Sequence, residues 1–218
     1  MTKVNLFTQY YHDSNKDRKF ELDYCVYENL ENDFDSVFLI YQTPRKQSFE
    51  LSVNKHKLSI EYVDERPTFN DFFEIMDRDE YAHSINILSN TDIIFTKGLG
   101  DILAYVNTIE SNTCLALSRY DYNMADNTTK EFHRPDSQDT WIFKGNPKVR
   151  TSIIYSMGWA GCDNRLAYDI SQHGYNVINP CKSIHTYHIH HSNVRNYLNE
   201  ENQPTYRVPP PYKLINVE

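Results

Sequence analysis

Polar residues able to do chemistry gather at five places: Asn90/Asp92, Arg119/Asp121, Asp139, Asp163 and the run from His185 to His191. Asn90-Thr91-Asp92 follows Ile85-Asn86-Ile87-Leu88-Ser89, a short apolar run of the kind buried on both faces of a mostly parallel sheet. Asp92 is therefore an acid where a buried strand ends, and α/β proteins bind ligands at such ends. A carboxylate there suits a hard divalent cation that bridges to a diphosphate. By itself the triplet also reads as turn chemistry, and that reading ranks first until the rest of the chain is considered. In a strand, His188 and His190 share one face, and two such imidazoles can hold a metal with a carboxylate from a neighbouring strand. His191 reads as a solvated edge residue. A zinc hydrolase is the other reading of the histidines, weakened by the lack of a paired-His helix motif. Asp77-Arg78-Asp79 is a literal Asp-x-Asp and the alternative metal site. It ranks below Asp92 because it follows a helical stripe instead of a buried strand.

The elements that must position these groups alternate along the chain. A first strand at 3–8 leads through Asp13-Ser14-Asn15, a turn and helix cap, into a helix over 18–32 with Leu22, Cys25, Val26 and Leu30 at helical spacing. Strands follow at 37–41, around 49–53 and at 58–63, and a helix at 69–76 carries Phe69, Phe72, Phe73 and Met76 on a core stripe. Beyond 85–88 come a helix at 98–109 and strands at 113–117 and 140–143. A helix then runs from about 162 to 172, closed by Gly174. Strands at 175–178 and 184–190 complete the series. Residues 123–136 read as an irregular, mobile loop. The order predicts an α/β fold with a central, mostly parallel mixed sheet flanked by helices, in one domain over 1–202. The tail 203–218, with Pro204 and Pro209-Pro210-Pro211, reads as an extended linker towards further C-terminal chain.

The chain has 218 residues and a net charge of -8, which argues against a nucleic-acid surface. Its 17 tyrosines suit packing or the lining of a polar cleft. No apolar run reaches membrane-spanning length and no signal core opens the chain. Cys25, Cys114, Cys162 and Cys181 are widely spaced, as free thiols in a reducing compartment would be. A cytoplasmic protein is the expectation.

Several stretches together resemble GT-A-type glycosyltransferases: Leu6-Phe7-Thr8-Gln9-Tyr10-Tyr11, Arg66-Pro67-Thr68-Phe69, Ser89-Asn90-Thr91-Asp92-Ile93, Ser118-Arg119-Tyr120-Asp121, Ser137-Gln138-Asp139-Thr140-Trp141, Gly161-Cys162-Asp163-Asn164-Arg165 and His188-Ile189-His190. The chain is similar to small glycosyltransferase domains of bacteria and large DNA viruses, including viruses of algae. The resemblance implies a nucleotide-sugar donor, UDP favoured, a glycan or glycoprotein acceptor, and Mn2+ or Mg2+ held by Asp92 with His188 or His190. Asn90 departs from the first Asp of the family's Asp-x-Asp and is assigned to the ribose. Gly158-Trp159-Ala160-Gly161-Cys162-Asp163 resembles the Gly-Trp-Gly-Gly-Glu-Asp stretch of inverting galactosyltransferases, whose Asp is the catalytic base, with Cys162 in place of the Glu.

On that footing Asp163 is the expected general base, made ionic by the helix start, with pairing to Arg165 as the structural alternative. Asp139 is expected to position a sugar, or to be the base instead. Thr8, Gln9, Tyr10 and Arg66 are expected to line the base and ribose pocket, with Tyr10 stacking, and Thr91 and Arg119 to complete the donor site. A sugar nucleotidyltransferase is the competing enzyme class, but no glycine lies between Thr8 and Asn15 to cradle phosphate. A carbohydrate-binding module without a metal is the non-catalytic alternative.

Overall fold

Local chemistry at the helix starts sets the frame. Asn15 caps α1 (Lys16–Glu31), its side chain accepting from the backbone N–H groups of Asp17 and Arg18. Thr68 and Asp71 form a reciprocal capping box at α2 (Phe69–Met76). Two further helices, α3 (Leu99–Val106) and α4 (Cys162–Gln172), follow later in the chain. The computed structural model describes residues 2–43, 48–50, 55–95, 99–192, 194 and 207–218.

The central sheet holds β1 (Val4–Tyr11), β2 (Ser36–Gln42), β3 (Leu58–Val63), β4 (Ile85–Ser89), β6 (Thr113–Leu117), β9 (Thr140–Lys144) and β10 (Asn176–Ile178). Its seven strands run in the order β10-β6-β9-β4-β1-β2-β3. All neighbours are parallel except β9, which is antiparallel to both β4 and β6. Phe7 and Leu88 point into one core layer with α2 and α4, and Leu6, Ile85 and Ile87 into the other with α1 and α3. The sheet is thus covered on both faces, as its continuous apolar strands require.

A second sheet of four short strands holds β5 (Ile93–Ile94), β7 (Tyr120–Asn123), β8 (Thr128–Glu131) and β11 (Tyr187–His188), in the order β5-β11-β7-β8. Two expectations are corrected here. Much of the segment 123–136, expected to be irregular, is the β7–β8 hairpin, turned through Asn127 at a positive φ of 56°. The last strand is Tyr187–His188 alone, and it joins this second sheet because its neighbours on both sides belong there. The expected strand around 49–53 and the start of α3 at Gly98 fall partly outside the described residues.

The described part of the Pro-rich tail returns to the domain instead of leading away from it. Val208 and Ile215 are buried in the α2/α4 core layer, and Val217 bridges to Asn179. Arg165 donates to the Pro209 carbonyl, fixing the tail to α4. All four cysteines are buried free thiols. Among the described residues no helix is long and apolar enough to cross a membrane.

Candidate functional site

The strand order reverses between β1 and β4: β2 and β3 lie outward on one side of β1, while β4 begins the other half. Carboxyl ends diverge at such a switch point and leave a crevice. A cleft of about 530 Å³ opens there, within the size range of small-molecule sites. Gln9 and Tyr11 enter it from β1, Asn90, Thr91 and Asp92 from the end of β4, and Trp159 to Asn164 from the start of α4. Arg18, Arg66, Arg119, Arg134 and Arg207 line the same space.

Asp92, His188 and His190 converge in this cleft, with a ligand atom of each within 4.8 Å of the others. His188 Nε2 lies 3.3 Å and His190 Nδ1 3.9 Å from Asp92 Oδ2. The expected meeting of the two imidazoles holds: their rings are 5.5 Å apart. One carboxylate and two imidazoles are a sound donor set for a divalent transition metal. Arg18 Nη2 also donates to Asp92 Oδ2, at 2.6 Å. Burial pushes the Asp92 carboxyl up, but His188 and Arg18 win and hold it well below the usual carboxylate range. Burial pushes His188 down, yet the Asp92 charge and its bonds to Asp121 and Asp92 raise it to about 9. His190 is lowered, first by burial and then by Arg18, so its imidazole is neutral near pH 7.

Arg18 and Glu21 escaped the sequence reading. Both sit on the stripe of α1 that carries Leu22, Cys25 and Val26, and both are buried. Glu21 accepts from Arg18 and from the backbone N–H groups of His191 and Ser192. A charged pair on an otherwise apolar helix stripe was the available signal, because buried charges require partners.

Asp139 and Asp163 line the same cleft. Asp139 Oδ1 accepts from Asn90 Nδ2 and Oδ2 from Arg119 Nη1, both at 2.6 Å. The Asn90 amide nitrogen is therefore turned to Asp139, while its Oδ1 has no hydrogen-bond partner among the described residues. Asp163 is pushed up to about 6, chiefly by burial and next by the nearby Asp139 charge. The helix start was expected to favour its ionised form; desolvation outweighs the dipole here. Arg165 does not pair with Asp163. It bonds Asp169 and Ser152 on the far side of α4.

Of the expected nucleotide residues, Gln9, Arg66, Asn90, Thr91 and Arg119 line the cleft. Thr91 uses its hydroxyl on the Gln9 carbonyl at 2.7 Å, tying β4's end to β1. Gly158, at φ 81°, lets Arg66 approach: a Cβ there would meet its Nη2 at 3.0 Å. Thr8 and Tyr10 do not reach the cleft. Strand alternation turns them to the opposite face, where Tyr10 packs edge-on against Tyr41 and Phe49 and donates to Asp23. Tyr11, one residue on, takes the cleft position.

Asp77 and Asp79 stand apart from this site. Asp77 ends α2 and binds Arg150 and the Lys148 N–H, and Asp79 is exposed in a single 3-10 turn. His185 is exposed with its ring tilted against Tyr120, and His191 is exposed. No protein-family model matches the chain, and no curated protein matches it in sequence.

Proposed function

We propose that the protein is a metal-dependent glycosyltransferase that moves a sugar from a nucleotide diphosphate donor, UDP-linked by preference, to a glycan hydroxyl with inversion. The observation that carries this reading is one cleft lined by a His-His-Asp donor set, by Asp163 and by five arginine side chains. Two imidazoles with one carboxylate suit Mn2+ better than Mg2+, which prefers an all-oxygen shell. The metal, held by Asp92, His188 and His190, supplies charge neutralisation for the leaving diphosphate. Arg18, Arg66, Arg119 and Arg134 add positive charge to the lining of the same cleft. Gln9 offers hydrogen bonds and Tyr11 an aromatic face to the base and ribose.

In the transfer, the bond between the sugar's anomeric carbon and the diphosphate oxygen breaks, and the acceptor oxygen bonds that carbon from the opposite side. The acceptor proton passes to an Asp163 carboxylate oxygen. A carboxylate titrating at about 6 is ionised at neutral pH yet basic enough to take that proton. Asp139, with both oxygens engaged, acts by holding Arg119 and Asn90 in place.

The donor set also favours a second reading, a zinc hydrolase, since two His and one carboxylate with an open position make catalytic zinc sites. The arginine-lined cleft weighs against it, because hydrolysis at zinc needs no diphosphate clamp. Calorimetric titration with UDP and GDP, with and without Mn2+, tests the choice. Mn2+-dependent nucleotide binding is the expected result. Zinc binding with no nucleotide affinity would replace the first reading with the second, and sugar binding without any cation would leave only a carbohydrate-binding module.

A further inference from the structure

We propose that Asp121 is a positioning residue for the metal centre, fixing which nitrogen of His188 faces the metal; this rests on the metal reading above. The backbone places it. β11 lies between β5 and β7, with His188 opposite Ile93 on one side and opposite Asp121 on the other. His188 and Asp121 are thus neighbours across β11 and β7, and Asp92 immediately precedes Ile93 at the start of β5. Asp121 Oδ1 meets His188 Nδ1 at 3.0 Å, and His188 Nε2 points to Asp92. A carboxylate on one ring nitrogen holds the proton there and leaves the other nitrogen's lone pair for a metal.

Asp121 is itself held. Arg119 Nε donates to the same Oδ1 at 3.1 Å, while Arg119 Nη1 donates to Asp139. The guanidinium lies over the Phe132 ring, 4.0 Å from its centroid, which fixes its plane. The row thus continues from Asp92 through His188, Asp121 and Arg119 to Asp139. It ends beside Asp163. The metal-ligand cluster and Asp139 are joined by one chain of polar contacts, and Asp121 is its most exposed link, with 45 % of its side-chain surface accessible.

That exposure makes the test practicable. Mn2+ titration calorimetry on wild type, Asp121→Ala and Asp121→Asn is paired with thermal unfolding of the metal-free proteins. Asp121→Ala is expected to weaken Mn2+ binding by about 10–100-fold, the usual effect of losing such a partner. The metal-free unfolding temperature is expected to stay near that of the wild type. Asp121→Asn keeps an oxygen acceptor for Nδ1–H and is expected to recover most of the affinity. Nitrogen NMR of the wild type loaded with diamagnetic Zn2+ should show the His188 proton on Nδ1. Mn2+ binding by Asp121→Ala equal to wild type overturns the assignment while leaving the metal site intact. A loss of affinity matched by an equal loss of metal-free stability, unrescued by Asn, overturns it in favour of a structural role. Absence of Mn2+ binding in the wild type removes both the metal reading and this one.

Discussion

Asp92 Oδ2 sits 3.3 Å from His188 Nε2 and 2.6 Å from Arg18 Nη2, so one part-buried carboxylate oxygen already faces two basic partners. A metal that binds Asp92 competes with the Arg18 guanidinium for the same oxygen. Asp92→Ala is expected to abolish Mn2+-dependent nucleotide binding and also to strand Arg18, which keeps Glu21 as a partner. The fold should survive with a loss of about 3–5 kcal/mol, typical of a broken buried pair. Calorimetry and urea unfolding on the same variant separate the two effects. Unaltered cation dependence in a folded Asp92→Ala protein moves the metal elsewhere.

Asp163 gives a prediction whose sign differs for activity and stability. Its pKa of about 6 lies above the usual carboxylate value, so the folded protein keeps a proton that the unfolded chain releases. Stability conferred by that proton is complete below about pH 4 and is lost as pH rises through 6. Asp163→Asn, which cannot ionise, is therefore expected to be more stable than wild type at pH 7 to 8, by about 1–3 kcal/mol. Transfer should fall by about 10²- to 10⁴-fold in the same variant. In the wild type the rate should rise with pH up to about 6 and then level. A flat pH–rate profile between pH 5 and 7 would remove Asp163 from the base role, and a product that keeps the donor's anomeric configuration would remove inversion.

Asp139 separates a supporting carboxylate from a reacting one. Asp139→Ala leaves Arg119 with Asp121 and Phe132 but removes its shortest buried partner. A loss of about 3–5 kcal/mol in unfolding free energy is expected, with activity falling alongside it. Asp139→Asn removes charge beside Asp163 while conserving shape. Since that charge helps to raise Asp163, the midpoint of the pH–rate profile should move to lower pH in Asp139→Asn. If Asp139→Asn is folded and inactive while Asp163→Asn works, the two roles are exchanged.

Tyr10 and Tyr11 are neighbours with opposite assignments. Tyr10→Ala empties an aromatic cluster with Tyr41 and Phe49, and is expected to cost about 3–5 kcal/mol of stability with nucleotide affinity unchanged. Tyr11→Ala is expected to weaken nucleotide binding by about 1–3 kcal/mol, the worth of a stacked base. Affinity lost in Tyr10→Ala at full occupancy of the folded state reverses this assignment.

Much of the architecture was legible in the chain because burial writes itself into apolar spacing. Leu22, Cys25, Val26 and Leu30 set α1, the Phe69-Phe72-Phe73-Met76 stripe set α2, and the apolar run before Asn90 set β4. The acid at the end of that run followed from the apolar pattern, whereas His190 lies beyond the end of β11 and meets His188 through the path of the chain after the strand. Which face of β1 meets the cleft did not: Tyr10 and Tyr11 are chemically alike, and only the sheet's layering distinguishes them. The antiparallel sense of β9, the separate small sheet and the return of Val208 and Ile215 to the core were equally silent, because strand direction and long-range pairing leave no local pattern. The tail shows this most plainly. Prolines read as a linker in one dimension, whereas Val208 and Ile215 gain burial in a layer assembled from α2 and α4 far back in the chain. The row from Asp92 to Asp139 belongs to the same class. Each residue was visible by type, but their order in space depends on β11 slotting between β5 and β7, a register that arises only when both sheets have formed.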